Sequence, residues 1–251
     1  MSWKRIGLLV AGAVAVGLIA RRRRPPSSKY FIHKTVLITG GSRGLGLVLA
    51  RKIGQAGARV IICARNAQQL EQARVDLQRR DINASAFECD VTDQVAVQKM
   101  MSQIEARWGT LDLVVNNAGW IQVGPFDSLT EDDFEVAMRT HFWGPLYVML
   151  EVLPGMRKRG SGQIVNITSI GGKISVPHLL AYNSSKFALV GLSQGIAAEV
   201  AQDGVQVTTV CPGLMRTGSP RNAVFKGDHR AEYAWFSIAD SIPGLSMEAE
   251  R

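Results

Sequence analysis

The segment AYNSSKFAL, residues 181–189, sets a tyrosine four positions before a lysine in a stretch of helical character. Positions i and i+4 share one helix face, so the Tyr182 phenol and the Lys186 ammonium would stand side by side. A cation there favours the phenolate and draws the tyrosine pKa down from its ordinary value of about 10. The pair would then serve as an acid/base near neutral pH. Taken alone, the pattern fits equally well a half-buried tyrosine beside a solvated lysine, so the rest of the chain must decide.

A second group of residues offers phosphate chemistry. Residues 39–46 read TGGSRGLG and join a short apolar run to a helical stretch. Gly40, Gly44 and Gly46 permit a tight turn and close approach of backbone to a pyrophosphate, with the next helix N-terminus aimed at the anion. Ser42, Arg43 and Leu45 complete the turn as candidate cofactor contacts. In NAD-binding versions of such a turn an acid about 20 residues on grips the ribose. Here that place holds Arg65, in CARN, and a second arginine, Arg43, lies within the turn. Two guanidinium groups suit a 2′-phosphate and an acid would repel it, so NADP(H) is the expected cofactor.

The elements that must position these groups are short apolar runs alternating with helical stretches. TVLIT (35–39), RVIIC (59–63), SAFEC (85–89), LDLVV (111–115), QIVNIT (163–168) and VQVTTV (205–210) are continuous enough to be strands buried on both faces. Helical segments fall at 44–56, 67–80, 93–107, 130–151 and 181–201. The alternation predicts an α/β fold, a doubly wound parallel sheet of Rossmann-like type in a single domain. Residues 213–251 show no strand signal but hold Phe225, Tyr233, Trp235 and Phe236. A long irregular segment in a compact domain is usually functional, and this one is expected to cover a ligand.

These motifs, taken in order, resemble those of the short-chain dehydrogenase/reductase family from about residue 34 to 217. They are T-G-x-x-x-G-x-G at 39–46, Asp90-Val91, Asn116-Asn117-Ala118-Gly119, Ser169, Tyr182-x-x-x-Lys186 and Pro212-Gly213-x-x-x-Thr217. The resemblance implies that Asp90 and Val91 lie at the adenine and that Asn117, Ala118 and Gly119 line the cofactor cleft. Pro212 and Gly213 would also contact the cofactor, and Thr217 would hold the nicotinamide carboxamide. It also implies that Lys186 holds the nicotinamide ribose and lowers the Tyr182 pKa. Tyr182 would exchange a proton with the substrate oxygen, and Ser169 would hydrogen-bond that oxygen. Where many relatives carry a catalytic asparagine this chain reads MRTHFWG, so His141 joins the catalytic candidates. Its imidazole either replaces the amide as a brace, one donor and one acceptor, or carries protons itself, with an unperturbed pKa of about 6.5. The family pattern continues into a further helix and a seventh strand, whereas this sequence ends at SMEAER, so a seventh strand is not expected.

The expected activity is therefore NADP(H)-dependent interconversion of an alcohol and a carbonyl. The alternative is a non-catalytic NADP-binding sensor or scaffold, which would need neither Ser169 nor Tyr182. Extended relatives acting as epimerases or dehydratases usually show T-G-x-x-G-x-x-G, and the glycine spacing here differs. Trp120, Ile121, Val123, Phe126, Leu179, Leu180 and Met215 flank the expected cleft and suggest an apolar or lipid-like small-molecule substrate. His178, in the loop before Tyr182, could touch substrate, though a loop histidine is more often simply solvated. A homodimer or homotetramer is compatible with this fold.

Charge and composition locate a separate N-terminal function. With 251 residues and 46% hydrophobic content, one sizeable core is possible. The net charge is +8, but eight of the 29 Lys and Arg lie in residues 1–34, which hold no acid; the remaining 21 face 21 Asp and Glu. The bulk of the chain is balanced, which argues against a nucleic-acid groove. The apolar run Ile6–Ala20 would be about 22 Å long as a helix, short of a comfortable span. Trp3 and the flanking basic side chains can lengthen it. Four arginines follow the run directly and Leu18 stands where a cleavage site needs a small residue, so a retained anchor is expected rather than a cleaved signal. The boundaries expected are 1–24 for the anchor, 25–33 for a linker and 34–251 for the catalytic domain, with 213–251 as lid. The heavier positive flank follows the run, which would leave the catalytic domain on the cytoplasmic side of a single-pass membrane anchor. Cys63, Cys89 and Cys211 have no metal spacing and read as buried free thiols.

Overall fold

The computed structural model describes residues 28–241 and 246–248. The anchor expected at 1–24 and the start of the linker lie outside these residues. Among the described residues, no helix is long and apolar enough to cross a membrane.

Six parallel strands form the central sheet: β1 (Thr35–Thr39), β2 (Arg59–Ala64), β3 (Ala84–Glu88), β4 (Leu113–Asn116), β6 (Gly162–Ile167) and β7 (Val205–Val210). Their order is β3-β2-β1-β4-β6-β7. Leu37 stands in register with Ile61 on one side and Val114 on the other, so β1 is central and buried along its whole length. Because side chains alternate across a strand, the two faces carry separate apolar layers. Leu37, Ile61, Val114 and Ile164 pack on one face with Val97, Met100 and Val148. Val36, Ile38, Val60 and Ile62 pack on the other with Ala50, Leu70 and Leu77. Each such side chain contributes about 1.5–3 kcal/mol when fully buried. The fold is thus a Rossmann-like single domain, as the apolar runs imply.

Helices cover both faces: α1 (Gly44–Gln55), α2 (Ala67–Gln78), α3 (Gln94–Trp108), α4 (Glu131–Met138), α5 (Gly144–Arg159) and α6 (Leu180–Glu199). Local chemistry sets their ends. Asn66 accepts from Gln69 N at 2.8 Å, and Asp93 accepts from Val95 N and Ala96 N at 2.9 and 3.1 Å, as N-cap residues do. Gly109 and Gly160 end α3 and α5 at positive φ.

Two expectations are corrected. The helix expected at 130–151 runs from Glu131 to Arg159, passing through Pro154, and is widened by a π-turn at Arg139–Trp143. Such turns insert one residue and re-aim side chains, and this one holds His141. Among its described residues, the segment 213–251, expected as a lid, is not irregular either. It forms β8 (Leu214–Arg216), β9 (Val224–Phe225), α7 (His229–Ser241) and β10 (Ser246–Glu248). β9 pairs in parallel with β5 (Gln122–Val123), and β10 with β8. Strands of two or three residues leave almost no periodic signal in a sequence. Of the three thiols, Cys63 and Cys89 are buried as expected, while Cys211 is only partly so. Burial pushes Cys63 far up and Cys89 up to about 11, which keeps both unreactive.

Candidate active site

β1 and β4 end side by side, with helices leaving to opposite faces of the sheet, and here open α/β sheets bind ligands. The turn after β1 is built by close approach. Gly40 has φ +64°, and a Cβ there would lie 2.8 Å from Ala118 Cα. A Cβ on Gly46 would collide with the Gly40 carbonyl oxygen. A Cβ on Gly44, at φ +55°, would meet nothing closer than Thr217, 3.8 Å away, so it is the left-handed φ rather than space that favours glycine there. Gly40, Ser42, Arg43, Gly44, Leu45, Gly46 and Thr217 are therefore brought to one place.

The turn after β4 is bolted to the first. Thr39 Oγ1 accepts from Asn117 N and Ala118 N at 3.0 Å each, and the Asn117 amide donates to the carbonyls of Thr39 and Gly40 at 3.0 and 3.2 Å. Asn117 thus shapes the glycine turn with its side chain. Asn116 faces the interior instead, donating to Asn166 Oδ1 at 2.8 Å, and Asn166 passes the chain to Ser193 Oγ at 3.0 Å. Asp90 accepts from Thr92 N and Oγ1 at 2.9 Å, with Arg65 Nη1 at 3.7 Å. Val91 is buried beneath. Arg65 and Arg43 are both exposed, the latter donating to Gln69 Oε1 at 3.2 Å.

Ser169, Tyr182 and Lys186 converge at the carboxyl end of β6. Ser169 accepts from Gly171 N at 3.0 Å, and its side chain favours the phenolate of Tyr182. Lys186 Nζ lies 5.6 Å from the Tyr182 ring centroid and donates to Ile167 O at 3.1 Å. Two glycines that carried no signal make this fit possible. A Cβ on Gly171 would stand 2.6 Å from Asn183 Oδ1 and 3.4 Å from Tyr182 Cε1, and one on Gly172 would stand 2.8 Å from Lys186 O. The GG pair one residue beyond Ser169, after Ile170, is the trace such packing leaves in the sequence. Pro212 also belongs here, accepting from Ile170 N at 2.8 Å, and Gly213 follows it on the surface.

The electrostatics depart from the simple pairing. Burial pushes the Tyr182 phenol above its ordinary range, and the influence of the Ser169 side chain only partly opposes this. Burial also pulls Lys186 down to about 7. Lys186 sits at Tyr182 as expected, but with the protein's own groups alone it does not make the phenol acidic; desolvation outweighs it.

His141 lies fully buried behind this trio. Its Nε2 accepts from Trp120 N at 3.1 Å, so the ring proton is on Nδ1, 2.7 Å from Ser185 Oγ. Ser185 in turn donates to the Tyr182 carbonyl at 2.8 Å. Burial, with help from the Lys186 charge, holds the imidazole well below its ordinary pKa. Both ring nitrogens are used and the ring is neutral.

Among the expected cleft residues, Trp120 and Ile121 are partly buried and Phe126 and Leu180 are exposed. Val123 is corrected to a core residue, fully buried and paired with Phe225. His178 keeps its side chain 39% exposed, but it is not left to solvent alone, since its Nδ1 lies 2.8 Å from both carboxylate oxygens of Glu232.

A family model described as short chain dehydrogenase matches residues 34–225. A fatty acyl-CoA reductase of Acinetobacter baylyi is 38% identical over 186 residues, 73% of this chain and 63% of its own length. The crystal structure of a single-substitution variant of actinorhodin polyketide ketoreductase with NADPH superposes with a TM-score of 0.78 at 31% identity, covering 87% of this chain and 86% of that one. A gluconate 5-dehydrogenase from Burkholderia cenocepacia, in complex with NADP and tartrate, gives a TM-score of 0.75 at 30% identity, covering 89% and 87%.

Proposed function

The chain belongs to the short-chain dehydrogenase family, and from that premise we propose that it is an NADP(H)-dependent oxidoreductase interconverting an alcohol and a carbonyl. The observation that carries this reading is the convergence of Ser169, Tyr182 and Lys186 beyond β6, with Lys186 Nζ 5.6 Å from the Tyr182 ring centroid and the Ser169 side chain acting on the phenol. A pure cofactor binder needs no phenol paired with a hydroxyl in its cleft.

The residues present fit a nicotinamide dinucleotide. The Gly44 backbone and the α1 N-terminus suit the diphosphate, Asp90 and Val91 the adenine, and Arg43 and Arg65 a 2′-phosphate. Ala118, Gly119, Pro212, Gly213 and Thr217 would border the nicotinamide. The bound cofactor supplies the hydride and, when oxidised, a positive ring that favours the phenolate. In reduction Tyr182 Oη gives its proton to the substrate oxygen, and Ser169 Oγ donates a hydrogen bond to that oxygen as charge develops. Lys186, held by the Ile167 carbonyl, would reach the ribose hydroxyls. His141 fixes the turn of α6 that carries Tyr182 and the backbone at Trp120, and so acts as a positioning residue.

The neighbours that bind NADPH or NADP support the choice of cofactor, as do the two arginines. The apolar residues Trp120, Leu180, Tyr233 and Trp235 support an apolar or lipid-like substrate, and the acyl-CoA reductase relative points the same way. The test is NADPH oxidation across a panel of aldehydes, ketones, steroids and retinoids. Turnover of apolar carbonyls supports the reading; cofactor binding without any turnover would favour the sensor or scaffold alternative.

On composition alone, we further propose that residues 1–24 tether the domain to a membrane with the catalytic part cytoplasmic. Deleting residues 1–28 should release an active soluble protein. Retention in the membrane fraction would place the anchor elsewhere.

A further inference from the structure

Helix α7 is exposed at His229, Arg230, Ala231, Tyr233, Ala234 and Trp235, yet Glu232 between them is only 7% exposed. Burying a carboxylate costs several kcal/mol unless it is paired and hydrogen-bonded. Here the partner is His178, whose Nδ1 lies 2.8 Å from both Glu232 oxygens. The imidazole also stacks on Trp235, centroids 5.3 Å apart and planes 31° from parallel. A planar ring with a donor at the δ position can make both contacts at once, which neither lysine nor a hydroxyl can do.

The loop is bent to make them. His178 has φ 64°, a left-handed conformation that non-glycine residues seldom adopt. Its carbonyl accepts from Gly124 N at 2.8 Å, joining the segment just past β5. That segment is itself tied to the lid, because β5 pairs with β9 and Phe225 of β9 packs edge-on against Tyr233 of α7 at 5.4 Å. Four residues after His178 comes Tyr182. The intervening turn is held to the catalytic helix by Asn183, whose amide donates to Val176 O at 2.7 Å and whose N–H donates to Leu179 O at 2.7 Å.

We propose that His178 and Glu232 form a clasp that docks the lid helix α7 onto the loop carrying Tyr182, making His178 a positioning residue that sets the substrate-binding wall. The inference rests on the oxidoreductase reading for its effect on substrate. It rests on geometry alone for its effect on the lid. Closing the clasp would place Tyr233 and Trp235 beside the cleft and hold them there while substrate binds. Opening it would leave the Ser169, Tyr182 and Lys186 contacts intact.

Two measurements on the full chain separate these effects. Hydrogen exchange of residues 229–238 needs no substrate. In His178→Ala and Glu232→Ala it should accelerate at least tenfold, while exchange in β1 and β4 stays unchanged. Turnover of an active carbonyl from the panel should show KM raised fivefold or more with kcat within twofold, and NADPH affinity unaltered. His178→Asn is the rescue: its Nδ2 occupies the position of Nδ1, and asparagine tolerates positive φ, so it should recover most of the exchange protection. Glu232→Gln, which keeps an acceptor, should do likewise. Unchanged exchange at 229–238 in both alanine variants would overturn the clasp. So would a His178→Asn protein as unprotected as His178→Ala, or a loss confined to kcat. If no carbonyl is reduced, the oxidoreductase reading fails while the exchange result still stands or falls by itself.

Discussion

The His141 imidazole stands edge-on to the Tyr182 ring, with centroids 5.3 Å apart and planes at 86°, while its two nitrogens hold Trp120 N and Ser185 Oγ. One donor and one acceptor on opposite sides of a ring do what a side-chain amide can do. Neither nitrogen is left to carry a proton to or from the site.

His141→Asn is therefore expected to change kcat/KM by less than about tenfold, or about 1.4 kcal/mol, with no ionisation lost from the pH profile near neutrality. Stability should respond more clearly. The folded imidazole has a pKa below its unfolded value of 6.5, so below 6.5 the unfolded chain binds the extra proton. Stability contributed by the neutral ring is lost as pH falls from 6.5 towards the folded pKa. The melting temperature of the wild type should drop across that window, and the asparagine variant should drop less. A hundredfold loss of kcat/KM would instead make the histidine a proton carrier.

Lys186 gives the opposite region of the pH scale. Its folded pKa of about 7 lies below the ordinary 10.5, so between these values the unfolded state holds a proton that the folded state lacks. Apo-protein stability should rise with pH from about 7 to 10.5 on account of this group, the penalty of burying it being complete below 7. Lys186→Met should flatten the rise and abolish turnover. A melting profile identical in both proteins across that range would contradict the burial described here.

Arg65 stands 62% exposed beside Asp90, where it is free to turn to a phosphate. Arg65→Asp should weaken NADPH binding by at least tenfold more than NADH binding, by removing one charge-assisted contact and adding repulsion. Titration of both nucleotides by calorimetry decides it. Equal losses would remove the NADP assignment.

Much of this was legible in the sequence, for a physical reason. Strands buried on both faces are continuous apolar runs, and the six runs of the sequence lie within two residues of the ends of the six strands in the central sheet. Gly40, Gly44 and Gly46 announced themselves because only glycine allows those contacts and angles. What escaped notice depends on partners far along the chain. The Glu232 to His178 pairing spans 54 residues, and the buried carboxylate of Glu232 sits between exposed neighbours on α7, so nothing local marks it. The π-turn that places His141 has no compositional signature. Pro154 interrupts the helical pattern, yet the packing of α5 carries the helix past it to Arg159.

The Tyr182 phenol, placed beside Ser169 and Lys186, is expected to do the proton chemistry. The direct test is the steady-state rate of Tyr182→Phe with NADPH and an active carbonyl, alongside its NADPH affinity. A phenyl ring keeps the packing and loses only the hydroxyl, so turnover should fall by a hundredfold or more, the usual contribution of such a group, with NADPH affinity within about twofold. Turnover above about one per cent of wild type would contradict the account, because some other group would then be supplying the proton.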